Sequence, residues 1–255
     1  MSEMVGYIYI HEEFEELFGV LSQPELHFLA KLLPFIDEDG LVHTPKDNEM
    51  EEIELGNTKS IIDYWGVSKP TGTKYLSNLV KNEVLLKVRE DRENRYVLTE
   101  KYFDLEAKKE CYESISCEFL KKCIIKFHEI WEDEFLHEGE HGTHNVYPLS
   151  FFLVMLMNVN YDNLLFICED FERKIVVEKD KKHFIVEKEL KLSKPFGELK
   201  LWELSSGSKS KVNNRTREKI KLFISSLQQS GLIHVMEFDS IKHFVFKFPP
   251  ELFRE

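Results

Sequence analysis

Apolar residues recur along the chain with two different periods, and the alternation between them predicts the elements. Leu26, Phe28, Leu29, Leu32, Leu33 and Ile36 return at steps of three and four. That spacing lines one helical face, so LSQPELHFLAKLLPFI predicts a buried helix, with the alternating GYIYI as an opening strand. Asn57 is placed to cap a short helix running to Trp65, where Gly66 stops it. After Val67, Ser68 is placed to cap a second helix, with Pro70 tolerated in its first turn. Helical geometry puts Gly72, Leu76, Leu79, Val80 and Glu83 on one side of that helix, and Lys69, Thr73, Lys74, Ser77 and Lys81 on the other. Residues 84–88 then predict a strand, 91–94 a charged turn and 95–99 a returning strand. Residues 106–136 predict one long amphipathic helix, on a stripe that includes Phe119, Leu120, Cys123, Ile124, Phe127 and Ile130.

The pattern then repeats. Residues 149–165 restate 26–42 at an offset of 123, with Leu149 for Leu26, Phe152 for Leu29, Met155 for Leu32 and Val159 for Ile36. At an offset of 148, Thr216-Arg217 stands for Ser68-Lys69, Phe223-Ile224-Ser225 for Tyr75-Leu76-Ser77, and Leu232-Ile233 for Val84-Leu85. At an offset of 150, Phe246, Phe248 and Phe253 stand for Tyr96, Leu98 and Phe103. Three blocks in the same order predict a tandem duplication. Two unrelated amphipathic helices on one chain are the plainer alternative. The growing offset marks an insertion, in which 174–178 and 183–187 read as strands and 197–204 as a short helix.

The polar side of the helix after Ser68 carries the chemistry. Lys69, Thr71, Thr73, Lys74 and Ser77 are short or basic, as a helix entering a major groove requires. Arg89, Arg92 and Arg95 of the following hairpin would hold phosphates. At VSKPTGTKYLSNLVKNEVL the chain resembles the turn and recognition helix of bacterial winged-helix regulators. From Tyr7 to Phe103 it also resembles the winged-helix domain of plasmid and phage replication initiators, through GYIYI, LSQPELHFLAKLLPFI and RYVLTEKYF. The resemblance implies double-stranded DNA as partner. In the second copy, SSGSKSKVNNRTREK brings Lys209, Lys211, Arg215, Arg217 and Lys221 to a helix start, as an anion-contacting loop or a solvated one.

Charge complicates this picture. The 255 residues carry a formal net charge of −12, which argues against a generic, charge-driven nucleic-acid coat. By segment, residues 1–60 hold −11, 61–110 hold +1, 111–190 hold −7 and 191–221 hold +6. The two candidate reading helices therefore lie in the windows that escape the acidity. No uninterrupted apolar stretch of about 18 residues predicts a membrane span, and the acidic N-terminus lacks the basic start of a secretory signal. Cys111, Cys117, Cys123 and Cys168 form no C-x-x-C pair and read as buried thiols of a reducing cytoplasm.

One motif competes. His137-Glu138-Gly139-Glu140-His141 matches the H-E-x-x-H zinc-protease pattern, with His144 as a further candidate ligand. Gly139 and Gly142 disfavour the helix that chemistry needs, which favours a polar interdomain loop. The expectation is an α+β chain of two tandem winged helices. An N-terminal domain spans 1–105, a helical connector with a His/Glu-rich loop spans 106–147, and a C-terminal domain spans 148–255 with a hairpin insertion near 166–195. The expected function is cytoplasmic DNA binding, as transcription regulator or replication-initiation factor of a bacterial mobile element, with no cofactor. The connector stripe would serve core packing or a homodimer. Capture of a host protein by the acidic face is the competing reading, and a metallopeptidase the third.

Overall fold

The structure is a computed structural model that describes residues 4–46, 49–90, 92–106, 114–136, 147–157, 159–160, 165–166, 176–179, 182–185, 214–237 and 244–253. It is a mixed helical and sheet fold, with small antiparallel sheets. Strand β1 (Tyr7–Ile10) leads through a 3-10 segment, Glu12–Gly19, into α1 (Gln23–Leu32). Ser22 and Glu25 close a reciprocal capping box at its start, satisfying backbone donors that the first turn leaves over. A hairpin of β2 (His43–Lys46) and β3 (Glu49–Leu55) precedes α2 (Thr58–Trp65) and α3 (Lys69–Lys81). Asn57 caps α2 by accepting from the backbone N–H of Lys59 and Ser60, and Gly66 ends it at φ 68°, the left-handed region that favours glycine. Strands β4 (Leu85–Glu90) and β5 (Glu93–Leu98) form the hairpin expected there, and β6 (Phe103–Asp104) follows.

The second half runs through β7 (Ser114–Ser116), α4 (Cys117–Leu136) and α5 (Pro148–Leu156). Strands β8 (Val159–Asn160) and β9 (Leu165–Phe166), hairpin β10 (Val176–Lys179) and β11 (Lys182–Ile185), and α6 (Asn214–Gln229) come next. Strands β12 (His234–Glu237) and β13 (Phe244–Lys247) and a 3-10 turn, Pro250–Leu252, close the order. Two expectations change here. The predicted helix over 106–136 begins only at Cys117, because 114–116 pair with β1 as strand β7. It is also no free-standing link: α4 packs on the Leu33–Phe35 turn of the first half and on α6 of the second, burying Leu120, Cys123, Ile124 and Phe127. Burial pushes the thiols of Cys117 and Cys123 up to about 12 and about 11, away from reactivity.

The halves match in backbone detail. After α3, the N–H of Asn82, Glu83 and Val84 bond to the carbonyls of Asn78, Val80 and Leu79. After α6, those of Ser230, Gly231 and Leu232 bond to Ser226, Gln228 and Leu227, each 148 residues on. Leu86 opposite Val97 corresponds to His234 opposite Lys247. The sheet order β12-β13-β9-β8 has its counterpart in β4 and β5, extended by the Leu41–Val97 and Ile36–Val42 bridges. The β10–β11 hairpin, which reads in sequence as an insertion, follows β9 as the β2–β3 hairpin follows Val42.

The same register relates the halves by an approximate two-fold axis. Ile10 faces Phe103, and Ile115 faces Phe253, so β1 and β7 are equivalent at an offset of 105. They pair with each other antiparallel, as a two-fold relation requires of two equivalent neighbouring strands, with Tyr9 opposite its own counterpart Ser114. Helix α1 packs against its counterpart α5 across the same axis. Buried apolar residues of both halves join in one cluster, from Phe14 and Phe35 to Phe151, Phe223 and Phe246. At the seam, the backbone N–H of Leu149 donates to Nδ1 of buried His27 at 3.2 Å. An accepting Nδ1 leaves the ring proton on Nε2, a neutral imidazole. Burial lowers the His27 pKa well below its ordinary value, and Lys31 and His128 reinforce the shift.

Candidate nucleic-acid interface

Helix α3 divides as its sequence does. Gly72, Leu76 and Leu79 are buried, while Lys69, Thr73, Lys74, Ser77 and Lys81 are exposed. Gly72 is required by a close crossing: a Cβ there would stand 2.5 Å from Cγ1 of Ile62 on α2. Thr71 is half-buried and its hydroxyl meets that of Ser68 at 2.9 Å. Ser68 thus takes the N-cap position without giving its side chain to the backbone. Glu83 departs from the expected packing side. It lies past the helix end at φ 58°, exposed, and ion-paired with Lys101. The Lys101 partner lowers the Glu83 carboxyl, and Glu83 in turn pushes Lys101 up to about 12.

The β4–β5 hairpin extends this surface. Lys87, Arg89 and Arg92 are exposed, and Arg92 sits at φ 72° in the tight turn. Arg95 is spent differently. It is half-buried, donating from Nη1 to the Leu55 carbonyl at 2.9 Å and pairing with Glu93 at 2.9 Å. Glu93 also accepts from Asn57, so Arg95 and Asn57 tie the hairpin to the start of α2. Among the described residues, Lys69, Lys74, Lys81, Lys87, Arg89 and Arg92 form no ion pair, and no carboxylate of residues 4–46 or 52–60 neutralises them. The exposed acids of this region instead fall on the Glu12–Gly19 segment, the 38–39 turn and the hairpin arm carrying Glu52 and Glu54. Lys81 and Lys87 join the candidate surface on exposure. Their signal in the sequence is one helical turn and one strand step from Ser77 and Arg89.

The second half gives a partial counterpart. Thr216 is buried, Arg217 is half-buried and donates to Asn214 at 3.4 Å, and Lys221 is exposed. Lys209, Lys211, the side chain of Arg215 and the 197–204 segment lie outside the described residues, as does the motif with His137, Glu138, His141 and His144. Among the described residues, no three His, Cys, Asp or Glu side chains are placed to hold a metal ion, and no helix is long and apolar enough to cross a membrane. Comparison with known proteins finds no matching family model, no matching curated relative and no matching solved structure.

Proposed function

We propose that the two halves are winged helices and that the chain is a sequence-reading, double-stranded DNA-binding protein. Its role would be that of a transcription regulator or replication-initiation factor of a bacterial mobile element. The observation that carries this reading is the exposed cationic face of α3, which forms no ion pair among the described residues and is continued by the Lys87, Arg89 and Arg92 hairpin. Six exposed cations on a chain of net charge −12 represent an unneutralised local field, suited to phosphate contact. Thr73 and Ser77 stand between the lysines and can reach base edges. The approximate two-fold axis supports two reading helices on one chain, so that half-sites are engaged without a second copy.

The test is duplex retention across a salt series. Lys69→Ala with Lys74→Ala removes two phosphate-reaching charges and leaves the buried side of α3 intact. Affinity is expected to fall at least about tenfold, with the slope of log K against log salt reduced by about 2. Unchanged binding would remove α3 as the reader.

A further inference from the structure

Helix α3 is fastened to the rest of the chain by polar links that duplex contact does not itself require. Half-buried Asn78 donates from Nδ2 to Oε1 of Glu25, the buried carboxylate whose other oxygen accepts from the Ser22 N–H at 2.7 Å. One turn earlier, the Tyr75 ring stacks on Phe28 of α1 at 5.5 Å. The Tyr75 hydroxyl is hydrogen-bonded to that of Tyr147, the residue that precedes α5 in the second half. Tyr147 itself stands at the seam, its ring 5.8 Å from that of His27, which accepts the Leu149 N–H. Both phenols are half-buried, and burial raises their pKa values, that of Tyr147 to about 12, so both stay protonated and neutral.

Packing alone does not call for these links. The matching ring pair of the second half, Phe151 with Phe223, keeps the aromatic contact at 5.8 Å with no hydroxyl on either ring. Ser226 stands at the place of Asn78 and donates to the Leu222 carbonyl of its own helix, and Pro148 stands at the place of Glu25. Helix α3 is thus tied to the opposite half by a bond across the axis, in addition to the ring contact that both halves share. A hydrogen bond holds only over a narrow range of distance and angle, whereas apolar contacts can slide. On the reading of α3 and α6 as DNA readers, and standing only with it, we propose that Tyr75 and Tyr147 are positioning residues. They hold α3 at one orientation to the second half and so fix the separation of half-sites that the chain accepts. One base pair added between half-sites moves one of them by about 3.4 Å and turns it by about 35°. The hydroxyl pair cannot follow a shift of that size and remain bonded.

The experiment uses the full chain. Selection from a random duplex library identifies the bound site, which is then remade with one base pair inserted between its halves. The quantity read is the ratio of affinities for the selected and the inserted spacing. Tyr147→Phe removes one oxygen and keeps the ring, and the ratio is expected to fall about fivefold, as the loss of one hydrogen bond implies. Tyr75→Phe should lower it equally, and the double substitution no further, since all three remove the same bond. Affinity for a duplex carrying one half-site alone should be unchanged. A merely structural role would weaken every duplex alike and leave the ratio intact. Three results would each overturn the proposal: an unchanged ratio in either single variant, a further fall in the double variant, or a selected site with one half only. Enrichment of no duplex at all would remove the DNA-binding reading and the spacing role together, whereas a two-part site with an unchanged ratio would remove the spacing role alone.

Discussion

The ends of α3 and α6 share one backbone and differ in chemistry. Both close on the same three hydrogen bonds and a residue in the left-handed region, yet that residue is Glu83 in the first half and Gly231 in the second. Within the helices the roles reverse. Gly72 admits the close approach of Ile62, while the equivalent position of α6 is a buried Ile220. The backbone plan is thus the same where helix-end hydrogen bonds and strand register fix it. Side chains differ at Gly72 and its counterpart Ile220, the first of which lies at a close helix crossing. The first half has a tightly crossed helix pair with a cationic outer face. The second has a buried isoleucine under its helix at that position.

The sharpest way to break the comparison is to empty one half and ask whether the other feels it. Phe151 packs edge-on against Phe223 and Phe246, at ring separations of 5.8 and 5.3 Å. Phe151→Ala should cost about 3–5 kcal/mol in denaturant unfolding. Because the core is continuous, hydrogen exchange should quicken in α1 as well as α5. Exchange confined to α5 and α6 would show two independent halves.

Swapping the helix residues comes next. Gly72→Val forces a Cβ into Ile62 and should cost about 1–3 kcal/mol. Ile220→Val should cost only about 0.5–1.5 kcal/mol. Equal costs would mean that the α2–α3 crossing yields more easily than its geometry implies.

The seam gives a pH-dependent effect. In the unfolded chain both imidazoles titrate near 6.5, whereas burial holds His27 well below that value and His128 at about 3. The unfolded chain therefore binds more protons in that interval. This stability is fully present above pH 6.5 and declines as pH falls towards 3. Urea midpoints between pH 7.5 and 4.5 should fall less in His128→Phe than in the parent; parallel curves would exclude His128 as a source.

The smallest effect is at the helix ends. Glu83→Gly relieves a left-handed non-glycine residue and should stabilise by about 0.5–1 kcal/mol, since the exposed Lys101 pair lost with it is worth little. A net loss would show that the ion pair outweighs the backbone strain.

Much of this was readable locally. The caps at Asn57 and Gly66, the two faces of α3 and the β4–β5 hairpin follow from residue type and period, and each is found. The β2–β3 hairpin escaped because EMEEIEL is rich in glutamate, which masks the alternation of Ile53 and Leu55. Strand β7 escaped because Ile115 also fits the helical stripe that begins after it; only its pairing with β1 decides. Arg95 and Arg92 look alike in sequence, but one faces the Leu55 carbonyl and the other the open turn.

Sequence alone determined the types and order of most elements and the placement of basic residues on one face of α3. Those properties depend on neighbours three or four residues away, or two in a strand, and such spacing is written in the chain. Tertiary structure decided the antiparallel pairing of β1 with β7, the docking of α1 on α5 and the inward turn of Arg95. Each joins residues remote in sequence, through a register or a crossing distance that no local period encodes.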